Sequence, residues 1–255
     1  MNKNKIKLDP STKVIRIISY AIVTLWSIIC IFPFVLVISA SFSTESIISR
    51  EGFGLLPKGF TVSAYEWVFR YPEQILGSYA VTIIMTVCGT VVGLFIIAMT
   101  GYALQRKDFP LRNIISFFIY FTTLFSAGMV PTYLWVSQLG LRGSYLAVFL
   151  QLLMSPWLIV LMKNFAKSVP YEITESGKID GAGDFRIFIS LIFPMLKPAL
   201  ATVGLFLALG YWNEWYQSSL YLGSSVDYKP LQYYLYGIIN QANGLKSSGA
   251  GANVS

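Results

Sequence analysis

Apolar residues run along this chain in blocks much longer than a soluble helix or strand needs, and polar residues collect between them. Four stretches contain no charged side chain: Ile17 to Phe42, Ile75 to Gln105, Asn113 to Leu141 and Gly143 to Met162. A fifth, Pro198 to Val226, contains only Glu214. Crossing a hydrocarbon layer about 30 Å thick takes roughly 20 apolar residues at about 1.5 Å per residue. The pattern therefore predicts five membrane helices, at residues 17–42, 78–103, 113–136, 143–163 and 198–222. The polar interval between the fourth and fifth, residues 168–196, is predicted to be a loop with its own task. With no internal repeat or low-complexity tract, residues 1–255 read as one all-α membrane domain.

Composition supports this reading. Of 255 residues, 55% are hydrophobic and 12% charged, about half the charged share of a soluble domain. There is no His, and the two cysteines, Cys30 and Cys88, lie in apolar runs. Neither a metal-ligand cluster nor a disulfide framework is on offer. The net charge of +7 does not form a basic stripe interleaved with aromatics, so nucleic acid is not the expected partner. The cations sit at the ends of the apolar runs.

Their distribution orients the chain. Lys3, Lys5, Lys7, Lys13 and Arg16 precede the first run. If they are cytoplasmic, so are Arg106, Lys107, Arg112, Lys163, Lys167, Lys178, Arg186 and Lys197, which puts 13 of the 19 Lys and Arg inside. This is the positive-inside bias. The first run could pass for a signal peptide with Ser39-Ala40-Ser41 as its cleavage site. Signal-peptide cores are about 7 to 15 residues long, so an uncleaved helix is expected. After Asp227 the tail offers a short apolar patch, Tyr233 to Ile239, and then a Gly-, Ser-, Ala- and Asn-rich end. It reads as the middle of an external loop.

The 168–196 interval is patterned as two short helices. Pro170 suits a first turn and Tyr171 to Ile179 can be helical. Gly181 and Gly183 allow a sharp turn, Asp184 can cap Phe185 to Phe193, and Pro194 and Pro198 should end the run. Ile179, Phe185, Phe188, Ile189 and Ile192 are apolar in a segment that should face water. They either pack beneath the chain's own helices or dock into a partner, and periodicity leaves both open.

At these residues the sequence resembles the permeases of type I ATP-binding-cassette importers. Their cytoplasmic loop carries Glu-Ala-Ala, two residues, Asp-Gly, nine residues and Ile-x-Leu-Pro. Here Glu175-Ser176-Gly177, Asp180-Gly181-Ala182 and Leu191-Ile192-Phe193-Pro194 stand at that spacing. Ser and Gly replace two Ala, and Leu and Phe replace Ile and Leu. Gly101 to Pro110, Met129 to Tyr133, Leu139 to Leu141 and Tyr211 to Trp215 resemble the carbohydrate-uptake branch. The resemblance implies a multi-pass bacterial cell-membrane permease working with a second permease, two ATPase subunits and an external sugar-binding protein. Glu175, Ser176, Gly177, Asp180, Gly181, Ala182, Phe185 and Pro194 would then form the coupling segment that meets the ATPase. No Gly-x-x-x-x-Gly-Lys-Ser/Thr phosphate loop occurs here, so ATP and Mg belong to the partner and this chain carries no cofactor. The family has six membrane helices, so a sixth is expected beyond the end of this sequence.

Glu214 is the one charge within a predicted span, an expensive position unless it faces water or a polar partner. Trp212, Asn213, Glu214 and Trp215 could line a sugar pathway, or form an interfacial aromatic belt with the carboxylate reaching water. Glu175 and Asp180 could be interface groups or solvated carboxylates paired with Lys178. Gly89, Gly93 and Gly101 suggest close helix packing. Gln151, Ser155 and Pro156 interrupt the fourth run. The external segment Ser43 to Gln74, with Phe53, Trp67, Phe69 and Tyr71, could meet a binding protein. A stand-alone secondary transporter would show repeats and several midplane charges, and a membrane enzyme would show paired carboxylates or an activated nucleophile. Neither set of features appears.

Overall fold

A computed structural model describes residues 10–70 and 72–247. Lys3, Lys5, Lys7, Tyr71, the side chain of Trp67 and the last residues of the tail lie outside the described residues. The chain divides after Pro72 into two compact units.

In the first unit, α1 (Pro10–Ser41) is 32 residues long and passes through Pro33 without ending. The apolar side chains of α1 are mostly exposed, as expected where lipid replaces a protein core. Two short helices follow, α2 (Glu45–Glu51) and α3 (Ser63–Arg70). Phe42 stacks on Phe60 and on Tyr65, with ring centroids 5.6 and 5.2 Å apart. Phe53 and Phe69 remain exposed.

The second unit contains α4 (Pro72–Gln105), α5 (Arg112–Leu124), α6 (Met129–Gln138), α7 (Tyr145–Leu153) and α8 (Pro156–Ala166). Its largest core joins Ile97, Ala98 and Tyr102 of α4, Ile159 and Met162 of α8, and Val203 and Leu207 of α12 (Lys197–Trp212). The three predicted close-packing glycines of α4 all meet neighbouring elements. A β-carbon on Gly89 would lie 2.3 Å from the Tyr211 ring, one on Gly93 2.8 Å from the Leu153 carbonyl oxygen, and one on Gly101 2.9 Å from the Lys163 nitrogen. Gly93→Ala is expected to lower stability. The roughly 1 kcal/mol gain in helix propensity is outweighed by about 1–3 kcal/mol of overpacking against fixed backbone. Gly210→Ala, on α12 with open space around it, should be neutral or stabilising. Thermal unfolding of the two purified variants compares them, and equal effects would contradict the packing role.

The apolar runs predicted correspond to helices, but three of them are broken. Among the described residues, three helical spans are long and apolar enough to cross a membrane, Thr12–Ser41, Pro72–Gln105 and Tyr145–Ala166, and up to five if each of two bent pairs counts as one. In place of one straight helix over 113–136, α5 and α6 meet at a 119° bend. The chain turns there at Gly128, whose φ of 86° suits only glycine. Tyr145–Ala166 is interrupted at Met154–Ser155. The Ser155 hydroxyl caps α8 by accepting from the Leu158 nitrogen, and Pro156 takes the first helical position. In place of a single helix over 198–222, α12 ends at Trp212 after 16 residues and α13 (Tyr216–Tyr221) begins after a three-residue break. The tail also differs from the expected loop: Leu231–Ser247 forms helix α14 despite its Asn and Gly content. Gly237 and Gly244 lie within it with open space around them.

Candidate functional site

The 168–196 segment opens with α9 (Tyr171–Ile179), entered through Pro170 in an extended conformation. Asp180 ends the helix and Gly181 follows at φ 76°. The Gly181 nitrogen donates to the Lys178 carbonyl at 3.0 Å, and the Ala182 nitrogen to the Gly177 carbonyl at 2.9 Å. These two bonds form a Schellman ending, which requires a left-handed residue at this position. A β-carbon on Gly181 would meet nothing within 4 Å. Within this chain its requirement is therefore conformational, not steric. Gly177 is buried instead, where a β-carbon would sit 3.0 Å from the Ile187 side chain.

After the turn, α10 (Asp184–Ile187) continues as a π-helical stretch, Phe188–Ile192, and then as α11 (Phe193–Met195). Pro194 does not end this run as expected. The Phe193 nitrogen bonds to the Phe188 carbonyl, five residues back, and this widened turn makes room for a proline ring that a regular helix would push into an earlier carbonyl. The path bends by 85° between this run and α12. Asp184 is not the cap either. Gly183 precedes the helix, Asp184 is its first residue, and its carboxylate lies 2.6 Å from the Arg106 guanidinium.

The apolar residues of this segment divide into two groups. Phe188 and Ile192 are buried beside Ile187, with Phe188 stacked on Tyr102 at 5.6 Å and edge-on to Phe95 and Phe193. Ile179 and Phe185 are 85% and 63% exposed. Packing beneath the chain's own helices is thus realised by Phe188 and Ile192, while Ile179 and Phe185 are left facing outward. Between α9 and the following run lies a groove of about 350 Å³, lined by Asp180, Gly181, Ala182, Arg186, Ile187, Ser190 and Leu191 among others.

An ionic cluster ties this segment to the end of α4. Arg106 pairs with Asp184 and with Asp108, and Asp108 also accepts from Lys178. The Arg106 and Lys178 bonds hold the Asp108 carboxyl well below the usual carboxylate range. Lys178 therefore pairs across the fold and not with Glu175 or Asp180. Those two are exposed and, among the described residues, take part in no ion pair. Arg106 and Asp108 were missing from the expected site. The signal for them was two opposite charges directly after an apolar helix, with nothing in the spacing to say which loop they reach.

Glu214 is only 9% exposed. Its carboxylate accepts from the Gln217 nitrogen at 2.5 Å, the Ser218 nitrogen at 3.0 Å and the Ser218 hydroxyl at 2.6 Å. It caps α13 and compensates the helix N-terminus. Trp212 and Trp215 flank it, about one-third exposed, and Trp215 stacks on Tyr236 at 4.3 Å. The Asn213 amide donates back to the Leu209 carbonyl. Glu214→Gln is expected to cost about 1.5–3 kcal/mol, since charge-assisted bonds are lost in a buried setting. Thermal unfolding that matches the native protein would show the cap to be dispensable.

The family description "Binding-protein-dependent transport system inner membrane component" matches residues 93–250, from the middle of α4 through the 168–196 segment to the tail. The chain belongs to this family. Among relatives of this transport component is the polygalacturonan/rhamnogalacturonan transport system permease protein YtcP of Bacillus subtilis (strain 168). It is 38% identical over 228 residues, which cover 89% of this chain and 79% of the relative. Protein LplC of the same strain is 40% identical over 204 residues, 80% of this chain and 68% of that protein. In structure the component is similar to a bacterial ABC transporter involved in the import of the acidic polysaccharide alginate. The TM-score is 0.82 at 29% identity, covering 95% of this chain and 89% of that one. The fold of this inner membrane component is that of a type I importer permease, a multi-pass membrane protein.

Proposed function

We propose that this chain is the permease subunit of an ATP-driven carbohydrate importer, in which residues 168–196 receive the motion of a partner ATPase. The observation that carries the reading is the two-sided build of this segment. Its inner side, with Phe188, Ile187 and Ile192, is packed into the core, while Ile179 and Phe185 are presented outward beside the Gly181 turn. Such a segment can receive a load on one side and pass it to α4 and α12 on the other. Moving a two-state gate from 1:99 to 99:1 takes about 5.5 kcal/mol of differential stabilisation. A stiff, ion-paired connection suits that transfer better than a loose loop.

In this reading the N-terminus is cytoplasmic, and ATP and Mg are bound by two ATPase subunits. A second permease completes the pathway, and an external binding protein delivers the solute. Glu175, Ser176, Asp180 and Ala182 lie on or near the receiving face, and Pro194 sits where the run turns towards α12. Trp212 and Trp215 offer flat faces suited to pyranose rings, with Asn213 and the Glu214 cap setting the break between α12 and α13. YtcP is named for polygalacturonan/rhamnogalacturonan transport and the structural neighbour is involved in the import of the acidic polysaccharide alginate, which favours oligosaccharides over small ions as cargo. Family membership favours the importer over a stand-alone carrier.

The docking face is tested by purifying the assembled transporter through a tag on this chain. The native chain should bring down its ATPase subunit, and Ile179→Asp/Phe185→Asp should lose it with membrane insertion intact. Unchanged co-purification would contradict the proposal.

A further inference from the structure

A second feature of this chain lies outside the coupling segment. Between α5 and α8 is a cavity of about 250 Å³. Its polar side carries Ser116, Lys163, Asn164 and Lys167, and its other side is apolar and aromatic, with Leu104, Phe117, Ile119, Tyr120 and Ile159. The Lys163 ammonium reaches across from α8 to donate to the Ser116 hydroxyl of α5 at 2.7 Å. Lys167 stands one turn further along the same face, and both it and Arg112 are near enough for their charges to oppose that of Lys163. Among the described residues none of these three cations has a carboxylate partner. The described residues therefore gather like charges at one mouth without supplying a counter-charge there.

The position of this mouth narrows what can supply it. Lys163 lies one turn from the end of the Tyr145–Ala166 span, so its ammonium comes at headgroup depth when that span crosses a bilayer. Phe117 and Tyr120, 69% and 53% exposed, open the apolar side of the cavity outward. A soluble anion would use the cations and leave this wall idle, whereas a phospholipid uses both, with its phosphate on the lysines and its acyl chain along the aromatics. Basic pockets between membrane helices on the cytoplasmic side are suited to anionic headgroups.

We propose that the Lys163–Lys167 cavity between α5 and α8 is a binding site for an anionic phospholipid of the phosphatidylglycerol class. The site needs only that the chain spans a bilayer with Lys163 on its cytoplasmic side, so it stands or falls separately from the coupling role. The test uses the complete transporter in nanodiscs with equal phosphatidylglycerol and phosphatidylcholine in both leaflets, followed by native mass spectrometry of the lipid retained after detergent release. The native assembly should keep phosphatidylglycerol in preference. Lys163→Gln/Lys167→Gln, which keeps a partner for Ser116, should lose that preference by about tenfold or more, and Lys163→Arg/Lys167→Arg should preserve it. Equal retention of the two lipids by the native assembly, or undiminished preference in the Gln variant, would overturn the proposal. Displacement of the lipid by millimolar inorganic phosphate would also overturn it, by showing a site for free anions.

Discussion

Gly181→Val is expected to reduce ATP-dependent uptake by the assembled transporter tenfold or more, with the protein still inserted in the membrane. At φ 76° a non-glycine residue costs about 1–2 kcal/mol, and a β-branched one is the least tolerated. The chain would relieve that strain by giving up the two bonds that close α9, swinging Ile179 and Phe185 away from their present positions. Gly181→Asn separates this cause from its alternative. Asparagine tolerates the left-handed region and the space around position 181 is open within this chain. If the turn is what matters, the Asn variant should retain most of the uptake. If Asn fails as badly as Val, then a surface pressed against the glycine is what it serves. Full activity in both variants would remove Gly181 from the mechanism.

Arg106→Gln should uncouple the transporter more than it destabilises the fold. Its side chain is 12% exposed and serves Asp108 and Asp184 together, while Asp184 is 64% exposed and retains its hydration. The stability loss expected is about 1–3 kcal/mol, between the values for surface and buried pairs. Uptake per ATP hydrolysed is the informative readout, because a slack connection lets the ATPase turn over without moving the gate. Arg106→Lys retains the charge but not the fork that reaches two carboxylates, and should fall between the two. The Asp108 carboxyl is held below its ordinary range by Arg106 and Lys178. Its contribution is thus complete above the ordinary carboxylate pKa and lost only as pH falls through the depressed value. Lowering the pH from 7 to 5 should leave coupling in the native protein intact, and a loss over that interval would assign coupling to another group.

Much of this arrangement could be read from the residues alone, because each legible feature rests on local chemistry. Uninterrupted apolar runs specify membrane helices whatever they pack against. A Gly two residues after a helical Gly-Lys-Ile run, followed by Ala, specifies how that helix can end. The illegible features all depended on direction or distance. Ser126-Ala127-Gly128 is apolar enough to sit in a span, and hydropathy cannot register that the chain doubles back there. An Asp at a helix start suits capping and ion pairing equally, and what decided Asp184 was an arginine at the end of α4. Lys178 had two carboxylates close in sequence and took one 70 residues away. Glu214 had a third option beyond sugar and water, a local cap on the helix that follows, and a six-residue helix gives little periodicity to announce it. For α14, Gly and Asn lowered the expectation of a helix that the Tyr-rich turns of Leu231–Ser247 nonetheless form.

The central claim, that this chain is a subunit driven by ATP hydrolysis on a partner, is most directly tested by uptake of labelled oligosaccharides into proteoliposomes. One preparation holds the complete assembly and another this chain without the ATPase. The account predicts uptake only with the complete assembly, only with ATP and Mg, and lost on Gly181→Val. Uptake by the preparation lacking the ATPase, driven by an ion gradient and indifferent to ATP, would contradict it.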